Sequence, residues 1–157
     1  MLKIRFIVVD RTRAPFLKEG ESHYLERLRK YARVEWIEVK PVKIEKGRPT
    51  EDVLALEEQS IAKRLEPHDY LVSLDRTGHQ YDSQELSAWL NRLSTNTRGW
   101  VCFTIGGPLG LSKKLLARSH RVLSLSRLTL THEMSRLLFL EQLYRAFTII
   151  NNEKYHK

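Results

Sequence analysis

The chain has 157 residues, enough to bury a sizeable core and too few for two comfortable domains, so one domain spanning residues 1–157 is expected. Lysine and arginine number 27 against 19 acids, a net charge of +8 with histidine neutral, which favours a polyanionic partner such as RNA or an acidic membrane surface. Its one cysteine excludes an internal disulfide and any cysteine-cluster metal site, and Cys102 between Val101 and Phe103 reads as a small buried hydrophobe.

Leu2 to Val9 predicts a first strand. Its apolar run is cut by Arg5 and closed by Asp10 and Arg11, unlike a signal peptide or membrane span, so a soluble cytoplasmic protein is expected, with neither membrane nor metal among its partners. Pro15 to Ala32 predicts a helix entered at proline, after a loop, DRTRAP, that carries Arg11 and Arg13. Val34 to Val39 alternates imperfectly as a second strand, and the following KPVKIEKGRP is a basic loop with Lys40, Lys43, Lys46 and Arg48. Thr50 is placed to cap a helix running to Leu65, with Glu51 and Asp52 in its first turn. Tyr70 to Leu74 predicts a third strand, Asp75 to Gln80 a turn, Ser83 to Leu93 an amphipathic helix and Trp100 to Ile105 a fourth strand. A short helix over Ser112 to Ser119 and a fifth strand over Val122 to Leu125 follow. From His132 to Ile150 the helical pattern is apolar almost all round, more than one core-facing stripe needs, and a second buried face against another subunit accounts for it.

Five strand–helix alternations predict an α/β fold: a mostly parallel sheet with helices on both faces and a ligand crevice at the carboxyl ends of the strands. At the end of the fourth strand, Gly106-Gly107-Pro108-Leu109-Gly110 matches neither the G-x-G-x-x-G dinucleotide spacing nor a P-loop ending. Locally it reads as a turn, although glycine also lets a ligand lie against the backbone. The segment Ser126 to Thr131 is too apolar for a free loop and too irregular for a helix, a composition suited to lining a pocket for an uncharged ring.

Asp75-Arg76-Thr77-Gly78 with Ser83, Ile105 to Gly110, the Leu125 to Leu130 loop with His132, Leu143-Tyr144-Arg145-Ala146 and the closing Asn152-Glu153-Lys154-Tyr155-His156 occur together and in order. In this combination the whole chain resembles the small SPOUT methyltransferases that methylate N3 of a pseudouridine in large-subunit ribosomal RNA. The resemblance implies a C-terminal trefoil knot, a topology that ordinary connection rules discard. It also implies S-adenosyl-L-methionine as methyl donor, a homodimer packed through the last helix with each site built from both chains, and large-subunit rRNA of the assembled ribosome as partner.

Cofactor contacts are implied for Leu74, Gly106, Leu125, Ser126, Arg127, Leu128, Thr129 and Leu130, and catalytic roles for His132, Arg145, Tyr155 and His156. Structural roles stand beside these: His132 as a helix N-terminal residue, Arg145 as an interface ion pair, and Tyr155 and His156 as members of a free tail. Glu153-Lys154 departs from a His-Pro common in such relatives, leaving His132 and His156 as the histidines at the site. Together with the loop residues above, Lys113, Lys114, Arg118 and Arg121 are scattered cations that fit phosphate contact collectively and a solvated face individually. Two further readings stay open, a non-catalytic ribosome-binding assembly factor and a SPOUT methyltransferase acting on transfer RNA.

Overall fold

The computed structural model describes residues 1–157. Strands and helices alternate as β1 (Leu2–Val9), α1 (Pro15–Leu28), β2 (Ala32–Val39), α2 (Thr50–Ala62), β3 (Tyr70–His79), α3 (Ser83–Asn96), β4 (Val101–Ile105), α4 (Lys113–Arg118), β5 (Arg121–Leu123) and α5 (His132–Ile150). One sheet, ordered β2-β1-β4-β3-β5, holds all the strands, and every neighbouring pair is parallel. The carboxyl ends of the strands therefore open on one side, where the β1–α1, β4–α4 and β5–α5 connections meet.

Period-two alternation assigns each strand residue to a face. Ile4, Phe6 and Val8 of β1 join Val72 of β3 and Phe103 and Ile105 of β4 against α1, α3 and α5, the layer that holds Leu28, Leu90, Phe139 and Leu143. Phe6, Phe103 and Phe139 form its aromatic centre, with centroid separations of 5.7, 6.2 and 4.8 Å. Ile7 and Val9 of β1 face the other way, with Leu71 and Cys102, onto Ile61 of α2 and Leu115 of α4. Burial pushes the Cys102 thiol up to about 12, so it is an inert packing group.

Several element boundaries differ from expectation. Helix α1 ends at Leu28 instead of Ala32, because Ala32 already pairs with Leu2 in the sheet. Thr50 is the first residue of α2, not its cap: Pro49 holds the N-cap position and supplies no side-chain acceptor. Asp82 and Glu85 form a reciprocal capping box at the start of α3, which runs on to Asn96. The fifth strand covers Arg121 to Leu123 and stops before Leu125.

The largest difference lies in β3. Asp75 to Gln80 is not a turn that ends the strand: pairing with Leu123 occurs at Leu74 and again at His79, so the intervening residues bulge and the strand resumes. The bulge is built locally, with the Asp75 carboxylate accepting from the Thr77 backbone N–H at 3.0 Å and from its hydroxyl. At its close Gly78 is obligatory, since a Cβ there would stand 2.6 Å from the Val122 carbonyl carbon of β5.

Candidate active site

Above the carboxyl ends of β3, β4 and β5 lies a cleft of about 720 Å³, a volume in the range of small-molecule sites. Its walls are Leu74, the Ile105 to Gly110 turn, Leu125, Ser126 and the Leu128 to Thr131 run, and α5 closes one end with His132, Glu133 and Ser135. Seven of the eight positions implied for cofactor contact line this cleft, all but Arg127. Asp75, Arg76, Leu109 and Gly110 line it as well. Each belongs to a motif named from the sequence, though none was singled out there for the cofactor.

The GGPLG segment closes on itself: Gly110 N–H donates to the Gly107 carbonyl at 3.0 Å, with Gly110 in the left-handed region at φ 80°. Gly106 is needed for this closure, since a Cβ on it would stand 2.3 Å from the Gly110 carbonyl oxygen. Internal packing alone therefore demands glycine at this position, as the local reading as a turn expects, whether or not a ligand also lies against it. Downstream, Ser112 caps α4 by accepting from Leu115 N–H at 3.0 Å.

His132 begins α5, capped by Thr131, whose hydroxyl accepts from Met134 N–H at 3.2 Å. Burial and the Arg136 guanidinium one turn on hold the imidazole below its ordinary value of 6.5, so the neutral ring is favoured. Arg136 itself is fully buried. It donates to Thr12 Oγ1 at 3.0 Å and to the Val9 carbonyl at 2.5 Å, and the Thr12 hydroxyl donates in turn to Glu21 at 2.5 Å. Partial burial opposes charge on Glu133, yet donation from Ala14 and Arg13 N–H outweighs it and keeps the carboxylate low. These contacts staple the β1–α1 loop to the first turns of α5. Sequence reasoning missed Arg136; its place on the stripe that continues through Phe139, Leu140 and Leu143 was the one hint that it is buried.

Arg145, Tyr155 and His156 form a second group away from the cleft. Thirteen residues of helix separate Arg145 from His132, a rise of about 20 Å. A Schellman cap reverses the chain after α5: Asn152 takes φ 55°, and Glu153 N–H donates to the Thr148 carbonyl at 2.8 Å. The tail is then held by Glu153, which accepts from Tyr31 at 2.7 Å and Lys30 at 3.1 Å. Tyr155 donates to Glu141 at 3.0 Å and lies edge-on to Tyr144, while Arg145 bonds Glu141 at 2.5 Å and reaches His156 Nδ1 at 3.3 Å. This tail is ordered against its own helix, and one chain does not bring Tyr155 and His156 to the cleft wall that His132 occupies.

A family model described as "Predicted SPOUT methyltransferase" matches residues 2–156. The chain belongs to the SPOUT methyltransferase family. Proteins named "Ribosomal RNA large subunit methyltransferase H" are similar over their full length: one from Thermotoga neapolitana at 40% identity and one from Pelotomaculum thermopropionicum at 39%, each aligned over 99% of both chains. A probable methyltransferase from Bordetella pertussis Tohama I shares the fold at 16% identity and TM-score 0.58, covering 92% of this chain and 94% of its own. Members of the SPOUT family take their methyl group from S-adenosylmethionine. The cleft suits that donor: leucine side chains offer apolar faces for an adenine ring, and exposed loop backbone offers edge donors and acceptors.

Of the cations expected to meet phosphate, three are engaged locally: Arg13 pairs with Asp10, and Lys43 and Arg48 pair with Glu45. Arg76 instead lines the cleft. No helix is long and apolar enough to cross a membrane.

Proposed function

We propose that this SPOUT methyltransferase methylates large-subunit ribosomal RNA, at N3 of a pseudouridine in the assembled ribosome, as a cytoplasmic homodimer whose sites are each built from two chains. The observation that carries the substrate class is the full-length identity, 39–40%, to proteins named as large-subunit rRNA methyltransferases. The positive charge of +8 accords with a phosphate-rich partner.

Bound in the cleft, S-adenosylmethionine supplies a methyl on a sulfonium. The chain's own residues supply the rest: the Leu125 to Leu130 loop with Leu74 and Gly106 orients the donor, and neutral His132 offers a nitrogen able to take a proton. Arg145, Tyr155 and His156 orient the uracil-like ring. Because these two groups are about 20 Å apart along α5, assembly of the reacting partners requires the tail of a second copy. Exposed apolar side chains support that copy: Phe16 of α1 is 67% exposed and Leu138 of α5 41%. The C-terminal trefoil knot that the family resemblance implies belongs to the same proposal.

Mass spectrometry of ribosomal and transfer RNA from a strain lacking the gene tests the reading. A methylated pseudouridine lost from large-subunit rRNA, and restored by the purified protein with S-adenosylmethionine, is the expected result. Loss confined to transfer RNA moves the substrate, and a protein that binds the donor yet labels neither RNA is an assembly factor.

A further inference from the structure

We propose that Glu141 is a positioning residue for methyl transfer: it locks the C-terminal tail so that Tyr155 presents its oxygen as an acceptor and Arg145 stands beside it as a fixed cation. The inference rests on the reading that Arg145, Tyr155 and His156 meet the substrate base. Glu141 projects from the middle of α5, and each of its oxygens is engaged. Oε1 accepts from Arg145 Nη2 at 2.5 Å and from the Tyr155 hydroxyl at 3.0 Å, and Oε2 accepts from Gln142 Nε2 at 2.7 Å. One carboxylate thus joins the helix cation to the tail phenol, across fourteen residues of sequence.

The bond to Glu141 fixes which way the phenol points. Its proton is spent on the carboxylate, which leaves the oxygen to act as an acceptor. Tyr24 Oη lies 3.5 Å from that oxygen and Arg145 Cζ 4.8 Å from the ring centroid, so the ring is gripped on more than one side. Burial, then hydrogen bonding to Tyr24 and Glu141, drives the phenol's ionisation upward, and it stays a neutral acceptor at any working pH. A ring N–H is the group such an acceptor selects, and the Arg145 donors turned away from Glu141 fit a neighbouring ring carbonyl. Without the carboxylate, Tyr155 is free to rotate and Arg145 to leave the tail.

The test compares the wild type with Glu141→Gln, Tyr155→Phe and the double variant, in methyl transfer to ribosomes and in release of the last three residues by carboxypeptidase Y. Glu141→Gln is expected to bind S-adenosylmethionine within twofold of wild type and to lower kcat about 100-fold with little change in KM, the scale of loss for a misplaced reacting group. Losses in the double variant are expected to be less than multiplicative, since part of the Glu141 effect passes through its contact with Tyr155. Wild-type kcat in Glu141→Gln, or losses that multiply in the double variant, overturns the proposal. If the wild type labels no ribosomal RNA, the substrate reading fails separately, and the tail lock is judged by proteolysis: faster release in Glu141→Gln upholds it, an unchanged rate overturns it.

Discussion

Gly106 and Gly107 are adjacent and alike in sequence, yet they differ in what a side chain would meet. On Gly106 a Cβ stands 2.3 Å from backbone of Gly110, which cannot move without opening the turn, whereas on Gly107 it meets only the Val9 side chain at 3.3 Å. Gly106→Ala is therefore expected to lower both thermal stability and S-adenosylmethionine affinity, and Gly107→Ala to change either much less, as read by calorimetric unfolding and titration. At His132 the folded state disfavours the proton, so the stability tied to its neutral form is complete above 6.5 and is lost as pH falls through the lower folded value. A rate that uses the neutral ring keeps its plateau to below pH 6.5, and His132→Asn is expected to remove that acid limb from the kcat/KM profile.

Among the elements, α5 serves two sites at once. Its first turns hold the cleft and the β1–α1 loop through Glu133 and Arg136, and it holds the tail through Glu141 at its middle and the Schellman cap at its end. The join at its N-terminal end depends on a chain of buried polar groups with one hydroxyl in the middle. Thr12→Val keeps the shape of that residue but leaves Glu21 without its donor and Arg136 without one acceptor. A loss of about 2–4 kcal/mol in urea unfolding is expected, because buried groups stripped of partners keep their desolvation cost.

For the molecule as a whole, the separation along α5 makes the dimer a requirement of the proposed chemistry. Leu138→Asp places a charge at an exposed apolar position, where it is expected to yield monomers by sedimentation and to abolish methylation without unfolding the chain. Mixing His132→Ala with Tyr155→Phe, each severely impaired alone, is expected to restore activity. Random reassortment makes half the dimers mixed, each with one intact site, or about a quarter of wild-type activity. No recovery on mixing argues for sites contained in single chains.

The α/β order, the apolar strands and the parallel sheet were legible in the sequence because they follow from local periodicity, and the cleft-lining loops because their residues recur together in a family pattern. Two kinds of information were not local. Continuation of β3 through Asp75 to His79 depends on a partner, β5, more than forty residues on, and the same backbone crossing decides why Gly78 is glycine. Glu133, Arg136 and Glu141 carry no motif: each is a charged residue on a helix until folding sets the β1–α1 loop or the tail against it. Sequence alone determined which elements form and which loops line the cleft. Only the tertiary structure decided that His132 and Tyr155 stand apart along one helix, since that distance comes from how far a continuous helix rises and where its cap turns the chain.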